Sequence, residues 1–188
     1  MARIDYADIH APQLQELVQR VAGERGTVLH LYRMLLHSRP VAEGWLDYLT
    51  RIRQQTTLSG SIRELVILRI AHLNRAPYEA DQHAPIALRE GLSRQQIDAL
   101  AQERPDAALF DARARAVLAY TDAMTRQIQV PDPVFDALRP HFDAQELVEL
   151  TATAAAYNMV SRFLEALQIR STDRVGVEPG EPKHNDET

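Results

Sequence analysis

No cysteine occurs in the 188 residues. That absence excludes disulfides, thiolate metal sites and thiol chemistry, and sulfur leaves the redox compartment undecided. A basic excess is missing as well. Lys and Arg number 21 against 26 Asp and Glu, for a net charge of −5, so there is no positive field to hold nucleic acid or an anionic membrane. Long apolar runs are also absent: the longest uncharged one, Leu150 to Ser161, falls short of the ~20 residues that a membrane-spanning helix needs. The opening MARIDYADIH carries acids where a signal peptide has an apolar core, which makes cytoplasmic the expectation. No stretch alternates with period two for long enough to form a strand. Glycine-rich phosphate loops, nucleophile elbows and zinc signatures are absent too.

What is present reads as helix. At 45% hydrophobic and 25% charged, the chain suits one globular domain, placed over 1–170. Leu14, Leu17, Val18 and Val21 mark a first amphipathic helix opened near Ala11-Pro12 and ended by Gly26. Val28 to His37 forms a second, stopped by Ser38-Arg39-Pro40, and Val41 to Gln55 a third that buries Trp45, Leu46, Leu49 and Ile52. Past the capping box at Ser93 and Gln96, helices open at Asp111 and Pro133, and a last long one runs from Asp143 to Ile169. The tail 171–188 is charged, contains Gly176, Pro179, Gly180 and Pro182, and is expected to be disordered.

The stretch Ser61 to Gly91 organises the rest: an apolar helix, a tight turn at Asn74–Pro77, then a second helix. Its first helix has an echo. Arg63-Glu64-Leu65-Val66 recurs as Gln145-Glu146-Leu147-Val148, 82 residues later, a weak sign of internal duplication. The positions 82 residues after Glu79 and His83 hold Ser161 and Glu165.

Glu79 and His83 are spaced i,i+4, so they share a helix face, and a carboxylate beside an imidazole makes an acid/base pair near neutral pH. An ordinary surface pair has the same spacing; the apolar partner helix favours burial. Glu64 fits a capping box opened by Ser61, yet the hairpin also brings it within reach of His83, and the two roles are compatible. His72, His83 and Asp81 lack the two-histidine spacing of a metal site. His30 and His37 read as packing residues, with His37 able to close one wall of a pocket. Tyr157 and Asn158 read as structural hydrogen bonders in the final helix.

RELVILRIAHLNRAPYEADQHAPIALREGLS, with FDARARAVLAYTDAM and FDAQELVELTATAAAYNMVSRFLEAL, resembles the carboxymuconolactone decarboxylase family, which includes the alkylhydroperoxidase D-like (AhpD-like) proteins. The resemblance implies an all-α, AhpD-like helical bundle built around an antiparallel helical hairpin, assembled as a homo-oligomer (trimer or hexamer). In the peroxidase branch a glutamate precedes a C-x-x-C pair and a histidine. Glu64 and His83 match the glutamate and histidine, but Ala76 and Glu79 stand at the cysteine positions, so a cysteine peroxidase is not expected. The decarboxylase branch also carries an acid four residues before the histidine, as Glu79 stands to His83. It works without a cofactor on an acidic lactone from aromatic-compound degradation.

The leading expectation is thus a cofactor-independent lyase or isomerase for a small acidic substrate, with His83, Glu79 and Glu64 as catalytic residues and no metal. Arg63, Arg69 and Arg89 are the candidate cations for the substrate carboxylate. A non-enzymatic helical oligomer that binds a small ligand or a partner protein is the competing reading. An enzyme requires Glu79 and His83 to line a pocket; an interface protein would bury them dry or leave them in solvent.

Overall fold

The computed structural model describes residues 1–175, and the expectation of disorder for 176–188 lies outside them. Among the described residues the regular elements are all helical: α1 Gln15–Arg25, α2 His30–Leu35, α3 Arg39–Gln54, α4 Gly60–Leu73, α5 Pro77–Arg89, α6 Arg94–Leu100, α7 Ala112–Gln127, α8 Asp132–Asp136 and α9 Ala144–Leu167, with single 3₁₀ turns at Pro12–Leu14 and Ala107–Leu109.

α4 is the central post. Ile62 and the whole run Glu64 to Ala71 are buried because α5, α7 and α9 all pack on it, which explains why its sequence is apolar all round rather than striped. The turn that follows is a Schellman closure. Ala76 N–H donates to Ala71 O at 2.8 Å and Arg75 N–H to His72 O at 3.1 Å, with Arg75 in the left-handed region at φ 55°. Pro77 then starts α5 at a position where no helical N–H is needed. The result is the antiparallel hairpin, seated in one contiguous hydrophobic core.

Capping follows the sequence in two places and departs from it in a third. Ser93 with Gln96, and Asp143 with Glu146, form reciprocal capping boxes. Ser61 does not cap: α4 starts earlier, with Ser59 at the N-cap and no side-chain cap bond. Glu64 therefore lies a turn inside the helix and its carboxylate is released from capping. The echo survives in the fold, since α4 and α9 are paired central helices, but α9 runs unbroken where α4 gives way to the hairpin turn.

α1 ends at Gly26, which adopts φ 79° and turns the chain beside Arg25. A β-carbon there is strained in the left-handed region. Gly26→Ala should cost about 1 kcal/mol, seen as a lower urea midpoint at unchanged slope. Past the 170 boundary, Ser171 Oγ donates to Asp81 Oδ2 at 2.7 Å, and Asp173 accepts from the Tyr6 hydroxyl at 2.6 Å. No helix among the described residues is long and apolar enough to cross a membrane.

Candidate active site

The hairpin brings α4 and α5 side by side, which sets Glu64 opposite His83. His83 Nδ1 and Glu64 Oε2 are 2.7 Å apart, with Glu64 fully buried and His83 8% exposed. With Glu64 ionised, Nδ1–H donates and the carboxylate accepts, which fixes the tautomer and leaves Nε2 as the exchangeable nitrogen. Nε2 makes no hydrogen bond among the described residues. The Tyr157 ring meets the imidazole edge-on, with centroids 5.2 Å apart, and restricts its rotation.

Glu79 is held elsewhere than the i,i+4 spacing suggests. Its Oε2 accepts a 2.5 Å hydrogen bond from Ser161 Oγ on α9, while Oε1 is buried with no partner among the described residues. The carboxylate that orients His83 is thus Glu64, across the hairpin, and Glu79 leans toward the neighbouring helix. Burial pushes the Glu79 carboxyl up to about 8; the Ser161 bond opposes this and the charge of Glu165 adds to it. At neutral pH Glu79 keeps its proton, and it can then donate to a ligand oxygen. Burial likewise holds the Tyr157 phenol above its ordinary range.

Glu79 and His83 line a cavity of about 50 Å³. α9 closes its floor with Tyr157, Val160 and Leu164, and α3 supplies one wall through Trp45, Leu49 and Arg53. Those three are spaced i,i+4,i+8 and so form a single stripe on α3. Arg25, Arg53 and Gln82 are half-buried whereas Trp45, Glu79, His83 and Tyr157 are buried, so the cations mark the open side and the acid/base groups the inner one. An adjoining groove of about 400 Å³ shares Leu29, Tyr78 and Gln82 with it.

The three arginines picked from proximity along the hairpin are placed elsewhere. Arg63 faces Glu64 and Glu90 at 3.5 and 3.6 Å. Arg69 is locked to Asp122, and Arg89 is exposed. None of them lines the cavity. His37 is exposed and bonds Asp5 O at 2.8 Å, so it closes no wall of this cavity. His30 is a packing residue, its ring lying between Tyr6 and Tyr78. Asn158 ties Asn74 to Thr125 and Ala154, as a structural hydrogen bonder does, while Tyr157 belongs to the cavity. Among the described residues no three His, Asp or Glu side chains are grouped as metal ligands.

Comparison with known proteins agrees with this architecture. The carboxymuconolactone decarboxylase family matches residues 39–123, the span from α3 to α7 that contains the hairpin. The uncharacterized protein YnjA of Escherichia coli (strain K12) is 35% identical over 131 residues, 67% of this chain and 66% of that protein. Over residues 39–123 the chain is thus similar to the carboxymuconolactone decarboxylase family, and it has no cysteine. It spans about two thirds of the length of YnjA.

Among solved structures, an uncharacterized peroxidase-related protein from Silicibacter sp. TM1040 superposes with a TM-score of 0.77 at 18% identity, covering 89% of this chain and 90% of that one. A cysteine-to-alanine variant of the debrominase Bmp8 in complex with 2,3,4-tribromopyrrole gives 0.74 at 16% identity, covering 89% and 92%. At such identities the likeness is one of fold.

Proposed function

We propose that the protein is a cofactor-independent lyase or isomerase of decarboxylase type, acting on a small acidic lactone or related acid from aromatic-compound degradation, with His83 as general acid and base. One observation carries the reading: a histidine with Nδ1 held by a buried carboxylate at 2.7 Å lines the same small cavity as a second buried carboxyl. The cavity is well below the ~300–1,000 Å³ common for drug-sized ligands, which favours a small substrate.

In the decarboxylation, the bond from the substrate carbon to its carboxylate breaks, CO2 leaves, and the electron pair stays behind as a dienolate. Glu79, kept neutral by burial, donates a hydrogen bond from its carboxyl to the enolate oxygen as charge builds there. His83, protonated at both nitrogens, gives the Nε2 proton to carbon and regains one from water. Glu64 is a positioning residue: it fixes the ring and faces the positive charge of the imidazolium. In the isomerase variant Nε2 takes the proton from one carbon and returns it to another, with no net loss.

His83→Ala should lower kcat for CO2 release, or for proton exchange at carbon, by roughly 10²–10⁴-fold while the far-ultraviolet circular dichroism stays that of wild type. Full activity in the variant would refute the role. We also read the protein as a homo-oligomer; large apolar side chains left exposed on α9, Val148 at 67% and Met159 at 38%, support assembly.

A further inference from the structure

We propose that Arg53 is the anion anchor of this cavity, holding the carboxylate that a small substrate keeps through the reaction. The proposal rests on the reading of His83 as the proton-transfer group and adds the residue that selects the substrate's charge.

The candidates for such an anchor can be separated by what they already bind. Arg25 lines the cavity but is committed: Nε donates to the Tyr32 hydroxyl at 2.9 Å and Nη2 to Thr50 Oγ1 at 2.7 Å, and Thr50 in turn donates to Glu24. Arg53 lines the same cavity, is half-buried, and has no ion pair or side-chain hydrogen bond among the described residues. A half-buried guanidinium in that setting keeps its five donors free of any protein acceptor and open to water or to a ligand.

Arg53 thus brings an uncommitted guanidinium to a cavity that also holds His83, Glu79, Gln82 and Tyr157. What completes the set is a ligand with acceptor oxygens and a negative charge. A carboxylate fits the fork of the guanidinium. Anchored near the half-buried Arg53, it would direct the remainder of a small ring inward to His83 and Glu79.

A bland explanation also exists. Arg51 and Arg53 lie in the last turn of α3, where cations offset the helix dipole. That role predicts a small stability effect and no effect on ligand binding.

Calorimetric titration of the full chain with 5-oxotetrahydrofuran-2-carboxylate and with its uncharged carboxamide separates the two. Wild type should bind the acid and discriminate against the amide. Arg53→Gln should weaken the acid by roughly 10- to 100-fold with little change in melting temperature, and Arg53→Lys should restore part of the affinity. His83→Ala should still bind the acid, which keeps the anchor distinct from proton transfer: lost turnover with intact binding in His83→Ala supports both. Equal acid affinity in wild type and Arg53→Gln would overturn the anchor and leave His83 untouched. Equal binding of acid and amide, or binding of neither to wild type, would overturn it as well.

Discussion

Replacing Arg69 by leucine is expected to cost about 3 kcal/mol of stability, a fall in melting temperature of roughly 10 °C for a chain of this size. Arg69 is 1% exposed. Its guanidinium makes a bidentate pair with Asp122, both contacts at 2.6 Å, and donates to the carbonyls of Leu100, Gln102 and Glu103 at 2.9, 2.6 and 3.1 Å. One side chain thus closes the end of α6 and joins α4 to α7. Leucine fills much of the volume but leaves the three carbonyls without their donor. Asp122 is 30% exposed, so water can take over part of the Coulombic loss and the stranded carbonyls weigh more. Arg69→Lys should recover only a fraction, because a single ammonium cannot reproduce the fork. Urea unfolding decides it: a change below about 1 kcal/mol would mean that the guanidinium is not what fastens α6 to the hairpin.

Glu79→Gln should remove a pH dependence rather than a contact. Unfolded, the carboxyl releases its proton around the ordinary 4.5; folded, it holds the proton up to about 8. The stability contributed by holding that proton is fully present below pH 4.5 and is lost as pH rises to about 8, at about 1.4 kcal/mol per pH unit. Glutamine does not titrate, and its amide can still accept from Ser161. The variant should therefore gain on wild type steadily between pH 5 and 8, and the gap should level off above that. Melting temperatures of both proteins at unit steps of pH measure the gap. A gap that does not change with pH would show that Glu79 is ionised in the folded protein, which removes it as a hydrogen-bond donor to an enolate.

The parts of the fold legible in the sequence are those whose causes are local. Asp143 with Glu146 and Ser93 with Gln96 are capping boxes by pattern and by geometry, and the apolar circumference of α4 announced a central helix. Ser61 with Glu64 has the same local pattern but a different outcome. A glutamate three residues past a serine can reach back to the helix start or across to another helix, and only the partner decides. Here His83 is that partner.

The same limit applies to Glu79. Helical spacing placed it on the face of His83, but Ser161 of α9 takes its carboxyl. Both residues of that contact were visible, one as a candidate acid and the other as its counterpart 82 residues on; that they touch depends on how α9 packs. Trp45 and Arg53 come from α3 and Tyr157 from α9, outside the hairpin, and no local pattern marks them as cavity residues. Arg63, Arg69 and Arg89 lie near His83 along the chain, but each has a structural partner or is exposed and none lines the cavity, whereas Arg53 does.

The central claim is that Glu64 holds Nδ1 of His83 so that Nε2 is the nitrogen that handles protons. Nitrogen-15 NMR of the labelled imidazole, followed across pH in the folded protein, tests it without a substrate. The account predicts that Nδ1 remains protonated throughout and that only Nε2 gains and loses a proton. A neutral His83 carrying its proton on Nε2, with Nδ1 bare toward Glu64, would contradict it.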